Sequence, residues 1–329
     1  MRPLRFGVVG CGGFSTIYQL PALRRCSRLQ LVSVVDLDRA WAHKVARRFR
    51  VPTSDTDYHA LIGRVDAALI ATPNTTHADI ACTLLQHGIH VLCEKPLATT
   101  RADVERMFAM SAQTGARLMA AYCFRFSPNL SMLKRIITTQ WLGSVHELSA
   151  EIGGRYDEGE QRTDFRKHRR LAGGGVLLDL GIHLIDLALW LSEELPLTVA
   201  CESASAQGWE VESEAEVTLD FPGGSRATLA CSFTHVPTNA VVVQGSAGWA
   251  RVPLYEPTSL TLCSERARVC QTSGVQRLVF PGTFTEMYDR QIEHFCDAVM
   301  TGKEFIIQAA EVGAALDIIE CCYHRSLHT

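Results

Sequence analysis

The sequence of 329 residues has no strong excess of charge of either sign. Lysine and arginine number 32 against 35 aspartate and glutamate residues, which gives a formal net charge of −3 at pH 7. A protein that binds nucleic acid or anionic lipid through charge needs a basic surface to neutralise phosphate groups. We therefore expect no nucleic-acid partner and no membrane partner.

Long uninterrupted apolar runs and paired cysteine motifs are also missing. The most apolar stretch, residues 176–191, is interrupted by Asp179, His183 and Asp186, and the apolar run near Met1 is shorter than a signal sequence requires. The twelve cysteines are scattered, and no Cys-x-x-Cys pair occurs. We therefore expect reduced thiols, no metal site and a cytoplasmic location.

The length and a hydrophobic content of 47% indicate two packed domains. Over residues 1–122, short apolar runs alternate with helical patterns, which is typical of an α/β domain with a doubly wound parallel sheet. Residues 123–329 contain helical patterns at both ends and strand-like runs between 197 and 280, which predict an α+β domain with a large, mainly antiparallel open sheet. An uncovered sheet face favours association, so we expect a homodimer or homotetramer formed through it.

A glycine-rich turn lies directly between the first predicted strand and the first predicted helix. Such a turn allows the backbone to approach a pyrophosphate, and it directs the amino end of the helix at the negative charge. The third position of the pattern is serine, which is small enough for close packing of helix and strand. The turn predicts dinucleotide binding by Gly10, Cys11, Gly12, Gly13, Phe14 and Ser15.

An acidic residue, Asp36, follows the second predicted strand, 26 residues after Gly10. A carboxylate here accepts hydrogen bonds from the adenosine ribose and repels a 2′-phosphate, by about 4 kcal/mol at 4 Å and an effective dielectric of 20. Leu37 and Arg39 complete this part of the cofactor site, and Arg39 could offset some of the repulsion. We therefore expect NAD, with NADP as the less favoured cofactor. Asp36 could also cap the helix that begins at Arg39.

Three ionisable residues are candidates for chemistry. Lys95 follows a buried strand, so the sheet delivers it to the crevice where ligands of doubly wound domains bind; a surface lysine at a strand end is the alternative. Asp179 and His183 lie four residues apart on one face of an otherwise apolar helix, where ionisable groups are costly unless they are paired or used. A neutral imidazole suits proton transfer, although a hydrogen-bonded core pair would fit the same pattern.

The order of these segments resembles the family of glucose–fructose oxidoreductase, inositol dehydrogenase and MocA-like proteins. The matching segments extend over nearly the whole chain, and they are residues 7–13, Ala71-Thr72-Pro73-Asn74 with His77, Glu94-Lys95-Pro96-Leu97, Arg125-Phe126-Ser127-Pro128, and Gly173-Gly174-Gly175 through Asp179 and His183. The resemblance implies a Rossmann domain, an open-sheet domain that forms oligomers, and a nicotinamide site where Lys95, Asp179 and His183 meet.

The resemblance also implies roles for residues that their spacing alone does not assign. The additional residues expected at the cofactor are Thr72, Pro73, Asn74, His77, Glu94, Lys95 and Arg125. The residues expected at a polyhydroxy substrate are Lys95, Tyr122, Asp179 and His183, and in addition Arg155, Asp164 and Arg166, which belong to a segment where this chain departs from its relatives. Many relatives have a tryptophan shortly before the glycines, where this chain has a basic cluster over residues 155–170. That cluster is either a solvated loop or a contact for a polar or phosphorylated sugar.

These observations predict hydride transfer between NAD(H) and a secondary alcohol or ketone of a sugar, aminosugar or cyclitol. In this mechanism His183 accepts the hydroxyl proton, Lys95 stabilises the developing alkoxide, and Asp179 positions the lysine or the substrate. Two other functions use the same residues in part. An NAD-dependent glycoside hydrolase would oxidise its substrate only transiently, and a non-catalytic dinucleotide sensor would need only the glycine-rich turn.

Overall fold

The chain, taken from a computed structural model, is described for residues 2–156, 165–266 and 275–325. Its first domain is a parallel sheet of six strands in the order β3-β2-β1-β4-β5-β6. The strands are β1 (Leu4–Val9), β2 (Leu29–Val35), β3 (Thr53–Asp55), β4 (Ala67–Ile70), β5 (His90–Cys93) and β6 (Leu118–Ala120). The helices are α1 (Leu20–Arg25), α2 (Arg39–Phe49), α3 (His77–Gln86) and α4 (Arg101–Thr114).

The apolar composition of the central strands follows from this architecture. Helices cover both faces of the sheet, so every residue of β4 is buried and β1 is buried from Phe6 onward. The strand order reverses beside β1, because β2 lies on one side of it and β4 on the other. Ligands of such folds bind outside the carboxyl ends of the strands at this position. The residues that follow β1, β2, β4 and β5 therefore surround one crevice.

The second domain contains an eight-stranded sheet in the order β14-β13-β12-β11-β7-β10-β9-β8. Its strands are β7 (Val145–Gly153), β8 (Thr198–Ala204), β9 (Glu214–Asp220), β10 (Arg226–Ser232), β11 (Ala240–Gly245), β12 (Gly248–Pro253), β13 (Ser259–Ser264) and β14 (Val275–Val279). Neighbouring strands are antiparallel except β7 and β10, which pair in parallel. The prediction of a parallel domain followed by a mainly antiparallel open sheet is confirmed.

The helices of the second domain lie on one face of its sheet or between the two domains. They are α5 (Pro128–Thr138), α6 (Arg169–Ala172), α7 (Ile182–Ser192), α8 (Glu286–Thr301) and α9 (Ala309–Arg325). The helical stretch Arg169–Ser192 is long and apolar enough to cross a bilayer by those two criteria alone. Most of it is buried inside the protein, where α7 packs against α9 and the sheet. A central core helix has the same properties.

Candidate active site

The glycine-rich turn has the geometry that a bound pyrophosphate needs. Gly10 has a φ of +93°, and a Cβ atom there would lie 2.3 Å from the carbonyl oxygen of Ala71, so only glycine fits. A Cβ atom at Gly12 or Gly13 would meet no atom of the described chain within 4 Å. The space above this turn is therefore open, while Ser15 is buried against the sheet. The turn fits a dinucleotide phosphate.

Asp36 is held at the end of β2 by two backbone amides. Its Oδ2 accepts a hydrogen bond from the Cys11 amide at 3.0 Å, and its Oδ1 accepts one from the Asp38 amide at 3.0 Å. The helix cap is Asp38, whose carboxylate accepts from the Trp41 amide. The alternative reading of Asp36 as that cap is therefore wrong. Leu37 and Arg39 are exposed beside this carboxylate.

The loop after β4 supports the crevice through hydrogen bonds of its buried side chains. His77 is buried, and its two ring nitrogens lie 2.9 Å from the carbonyl oxygens of Pro96 and Thr72. Burial lowers the pKa of His77, although the two carbonyl contacts oppose the shift, and a neutral ring can donate its one N–H to only one of the two carbonyl oxygens. Asn74 Nδ2 donates to the Ala172 carbonyl at 2.9 Å. Asn74 therefore links the two domains, while His77 supports the crevice from within the first domain. Thr72 and Pro73 precede Asn74 in the same loop.

Lys95 and Asp179 meet across the two domains. Lys95 precedes a cis peptide bond to Pro96 after β5, and its Nζ donates to the Asp179 Oδ1 at 2.6 Å and to the Asp179 carbonyl at 2.7 Å. An ammonium has three N–H groups, so one donor is left for another acceptor. The first domain therefore supplies a cation at the point where the second domain supplies its carboxylate.

A second cation, Arg166, binds the other oxygen of the same carboxylate. Its Nε donates to the Asp179 Oδ2 at 2.6 Å. Burial alone would raise the pKa of Asp179, but the charges of Arg166 and Lys95 outweigh burial and hold that pKa well below its usual range. One carboxylate between two cations leaves a net positive charge at this position, which favours a developing oxyanion nearby.

His183 lies one helical turn from Asp179. Residues Leu177–Gly181 form a π-helical segment, which widens the helix between these two side chains, and such segments are frequent at functional sites. Burial and the positive charge of Lys95 lower the pKa of His183 well below its usual range, although Asp179 opposes the shift. The imidazole is therefore neutral at pH 7 and able to accept a proton. The ring of Phe124 packs edge-on against it at 4.9 Å.

Glu94 is a buried carboxyl beside this cluster. Its side chain accepts hydrogen bonds from Gln19 and from the Lys95 amide. Burial raises the pKa of Glu94 to about 7, with Lys95 opposing the shift. In the unfolded chain this carboxyl loses its proton near its ordinary pKa of 4.5. In the folded protein it keeps the proton up to about pH 7. Folding stability falls as the pH rises through that interval, by about 3 kcal/mol in total.

The variant Glu94→Gln is expected to remove this pH dependence, because an amide carries no charge at any pH. Urea unfolding measures the free energy of unfolding of both proteins at pH 5 and pH 8. Between these pH values the wild type should lose about 2–3 kcal/mol more of that free energy than the variant. The control is Glu304→Gln, at an exposed position, which should behave alike at both. An equal difference from the wild type at pH 5 and pH 8 would contradict the prediction.

Three consecutive glycines lie at the amino end of the helix that carries Asp179 and His183. A Cβ atom at Gly173 would lie 2.3 Å from Thr99, one at Gly174 would lie 2.1 Å from the Tyr323 hydroxyl, and one at Gly175 would lie 1.9 Å from the Glu212 carbonyl. No side chain fits at any of the three positions. The helix that carries Asp179 and His183 is therefore fixed in place by contacts from both domains.

Glu212 is a functional residue that sequence reasoning missed. Its buried Oε1 accepts hydrogen bonds from the Gly175 amide at 2.9 Å, the Leu177 amide at 3.2 Å and the Tyr323 hydroxyl at 2.8 Å. The first two donors are free amides at the start of the helix, so the carboxylate caps it from outside. A lone glutamate 33 positions after Asp179 carries no periodic signal that could have identified it.

Two residues that were expected to contact ligands are buried in the core instead. Arg125 was expected at the cofactor, but its guanidinium is 2% exposed and pairs with Asp186 at 2.7 Å and Glu311 at 2.8 Å. It therefore joins helices within the core. Tyr122 was expected at the substrate and is only 1% exposed, so its ring is part of the core and not of an open surface.

The basic cluster divides into one site residue and several surface residues. Arg166 reaches Asp179, whereas His168 and Arg169 bind Glu210 at the surface. Arg155 is exposed, and Asp164 lies outside the described residues. The interpretation as a solvated loop therefore holds for most of the described cluster but not for Arg166.

A doubly wound domain with a phosphate-binding turn, facing a lysine, an aspartate and a neutral histidine, defines a nicotinamide-dependent oxidoreductase. Comparison with known proteins agrees. The family model described as "Oxidoreductase family, NAD-binding Rossmann fold" matches residues 4–122, and the "GFO/IDH/MocA C-terminal domain" matches residues 130–251. The chain belongs to the GFO/IDH/MocA oxidoreductase family, and it is an NAD(P)-dependent enzyme that acts on CH–OH groups.

Named relatives differ in substrate, and the name of one of them includes the cofactor NADP(+). The "D-xylose 1-dehydrogenase (NADP(+)) 2" of Haloferax volcanii is 27% identical, over 96% of this chain and 100% of that protein. The "Trans-1,2-dihydrobenzene-1,2-diol dehydrogenase" of Mus musculus is 32% identical, over 80% of this chain and 79% of that protein. The solved aldose-aldose oxidoreductase from Caulobacter crescentus is 25% identical with a TM-score of 0.87, and the match covers 98% and 97% of the two chains.

Proposed function

We propose that this enzyme oxidises a secondary hydroxyl of a sugar, aminosugar or cyclitol with NAD, or reduces the matching ketone with NADH. The observation that carries this proposal is the 2.6 Å contact between Lys95 Nζ of one domain and Asp179 of the other. It lies at the carboxyl end of β5, beside the crevice in which the nicotinamide of a bound cofactor would lie. The named relatives support the reaction class, since each acts on a cyclic or sugar CH–OH group.

The roles of the three residues follow from their charges and from the hydrogen-bond donors and acceptors that they have left for a substrate. The N–H of Lys95 that Asp179 does not use donates to the substrate oxygen. His183, neutral at pH 7, takes the hydroxyl proton as the C–O bond gains double-bond character. A bound nicotinamide supplies the acceptor for the hydride that leaves the same carbon. Asp179 keeps the lysine in position and stabilises the imidazolium that forms.

The choice of NAD over NADP rests on Asp36. Its carboxylate is fixed by the amides of Cys11 and Asp38 at the position where the adenosine ribose of a bound dinucleotide would lie. A ribose accepts this arrangement through its hydroxyls, whereas a 2′-phosphate would be repelled. Arg39 is exposed nearby and would become the partner of such a phosphate if the carboxylate were absent.

Asp36→Ser is therefore expected to weaken NADH binding about tenfold and to strengthen NADPH binding by a similar factor. Fluorescence titration of both reduced cofactors measures the two dissociation constants directly. The control is Asp38→Ser, which keeps a side chain that can cap α2 and leaves Asp36 in place. An unchanged ratio of the two constants in Asp36→Ser would show that Asp36 does not select the cofactor.

The reaction itself is tested with a panel of cyclitols, aminosugars, aldoses and nucleotide sugars. Reduction of NAD is followed by absorbance, and the corresponding ketones are tested with NADH. Release of free sugar from a glycoside without net NADH formation would favour the glycoside hydrolase. Tight binding of NADH with no turnover of any member of the panel would favour the sensor.

We also propose that the enzyme is a homodimer or homotetramer formed through the open sheet face. The charged side chains of that face differ between its two halves: Glu151, Glu202 and Glu216 lie on β7, β8 and β9, where the outward Arg226 of β10 is paired with Asp220, while Arg251 and Arg277 lie on β12 and β14. Glu202 and Glu216 are direct cross-strand partners, and like charges in that position repel. A two-fold axis through the middle of the face would bring the acidic half of one copy against the basic half of the other.

The variant Arg251→Glu is expected to shift the enzyme towards monomer, because it places an acidic group in place of a basic one opposite the partner's glutamates. Analytical ultracentrifugation measures the association. The matched control is Arg64→Glu, an identical charge change on an exposed position of the first domain. A wild type that sediments as a monomer at micromolar concentration would refute this assembly.

A further inference from the structure

A closed ring of four hydrogen bonds joins the glycine-rich turn to the amino end of α2. The Cys11 amide donates to the Asp36 Oδ2 and the Asp38 amide donates to the Asp36 Oδ1, each at 3.0 Å. The Trp41 amide donates to the Asp38 Oδ1 at 3.0 Å. The indole Nε1 of Trp41 then donates to the Cys11 carbonyl at 2.6 Å and completes the ring. Of the four donors, this indole is the one that belongs to a side chain.

The indole of Trp41 is also held in place by packing. Its ring is half-buried against the hydrophobic core, and Lys44 Nζ lies 5.1 Å from the ring centroid. A cation over an indole face is attracted by the electrons of the ring. An indole has a single N–H donor, and here the packing directs that donor at Cys11. A phenyl ring in the same place would keep most of the packing and lose the hydrogen bond.

The bond from Trp41 sets the orientation of one peptide unit in the glycine-rich turn. The Cys11 carbonyl and the Gly12 N–H belong to the same planar trans peptide, so they point in opposite directions. Fixing the carbonyl therefore fixes the direction of the N–H. Backbone N–H groups of such a turn are the donors that bind a pyrophosphate. Without the indole, the peptide could rotate and present the partial negative charge of its carbonyl oxygen to the phosphates.

The same ring holds the carboxylate that is expected at the adenosine ribose. Cys11 is bonded through its amide to Asp36 and through its carbonyl to Trp41. A shift of Cys11 would therefore change the position of the turn and the support of the carboxylate together. Groups that are already ordered before a ligand arrives bind it more tightly, because binding then does not have to order them.

We propose that Trp41 is a positioning residue for the coenzyme, whose indole N–H orders the glycine-rich turn and Asp36 before the coenzyme binds. Trp41 acts through Cys11 on the adenosine diphosphate half of the coenzyme and has no part in hydride transfer. The proposal rests on dinucleotide binding by this domain, and not on the identity of the substrate or on the choice of NAD over NADP.

The variant Trp41→Phe tests the indole N–H. Fluorescence titration measures the dissociation constants of NADH and NADPH, and calorimetric titration measures that of ADP-ribose, which lacks the nicotinamide. All three constants are expected to rise by the same factor, about three- to tenfold, which is the usual contribution of one neutral hydrogen bond. The ratio of the NADH and NADPH constants should stay unchanged. At saturating coenzyme, kcat should stay within twofold of the wild type.

The matched control is Trp141→Phe, at a half-buried tryptophan that follows α5 in the second domain. It makes the same chemical change away from the coenzyme crevice, and all of these constants should keep their wild-type values in it. An equal loss of affinity in the control would show that the effect is not specific to Trp41, and would overturn the proposal.

The other results are equally clear. Unchanged dissociation constants in Trp41→Phe overturn the proposal, and so does a loss of NADH affinity that ADP-ribose does not share. A changed ratio of the NADH and NADPH constants would make Trp41 a residue of coenzyme selectivity instead. A lower kcat at saturating coenzyme would place its effect on the chemical step. If the enzyme oxidises no sugar or prefers NADPH, the proposed function fails, while the binding constants still decide the role of Trp41.

Discussion

Replacing Lys95 by methionine is expected to lower kcat about 10³-fold while NADH still binds with nearly its normal affinity. The methionine keeps most of the side-chain volume but removes the donor for the developing oxyanion, and a single such donor is worth about 10²–10³ in turnover. It also removes one of the two cations on Asp179, so Arg166 alone would hold that carboxylate.

Two measurements separate the chemical role of Lys95 from a role in binding. Single-turnover kinetics at saturating cofactor report the chemical step, and fluorescence titration reports the dissociation constant of NADH. Lys134→Met serves as the control, because that lysine binds the Trp190 carbonyl and Glu193 at the end of α7, in a different part of the second domain. A raised dissociation constant with normal single-turnover rates would make Lys95 a cofactor anchor instead.

Replacing His183 by alanine is expected to lower kcat by about 10² or more, which is the usual contribution of a general base. The low pKa of this buried imidazole also predicts the pH profile of the wild type. Because the group stays neutral until the pH is well below its ordinary value, kcat should stay level through neutral pH and fall only in strongly acidic solution.

The control for this variant is His146→Ala, at an exposed histidine of β7. It tests whether loss of an imidazole as such affects the enzyme. NADH affinity should be unchanged in both variants. Unchanged turnover in His183→Ala would remove histidine from the chemistry and leave water as the proton acceptor.

The main features of the fold were predictable because burial on both faces leaves a strong signal. The strands β1, β4 and β5 are mostly apolar, and each is followed directly by a residue of the crevice: Gly10, Ala71 and Glu94. Lys95 and His183 were found for a related reason. A charge directly after a buried strand, or inside an apolar helix, is costly and therefore conspicuous in the sequence.

Strands β3 and β12 escaped prediction because their sequence signal is weak. β3 has three residues, and β12 begins with Gly248 and ends with Pro253, two residues that are uncommon inside strands. These strands exist because neighbouring strands supply their hydrogen-bond partners, as Arg251 pairs with both Val242 and Thr261. Tertiary context of this kind is not visible in a local pattern.

The parts of the site that depend on long-range contacts could not be predicted. Nothing in the spacing of the basic cluster distinguishes Arg166, which reaches Asp179, from Arg169, which binds Glu210. Aromatic rings at positions 14, 18, 124, 255, 284 and 288 pack against one another in series, and only the folded chain brings them together. Such contacts depend on how the two domains pack together. The periodic pattern of apolar and polar residues in a single sequence carries no information about that packing.

The glycine segment 173–175 has a consequence for any attempt to alter this enzyme. Thr99 of the cofactor domain, Tyr323 of the last helix and Glu212 all pack closely against it. Asn74 donates a hydrogen bond to the carbonyl of Ala172, the residue just before it. A change in this segment would displace the loop of Asn74 together with Asp179 and His183, the residues proposed for chemistry. A substitution in this segment is therefore expected to change the affinity for the coenzyme and the rate of turnover together. Redesign of either property alone has to start at residues of the crevice that do not contact this segment.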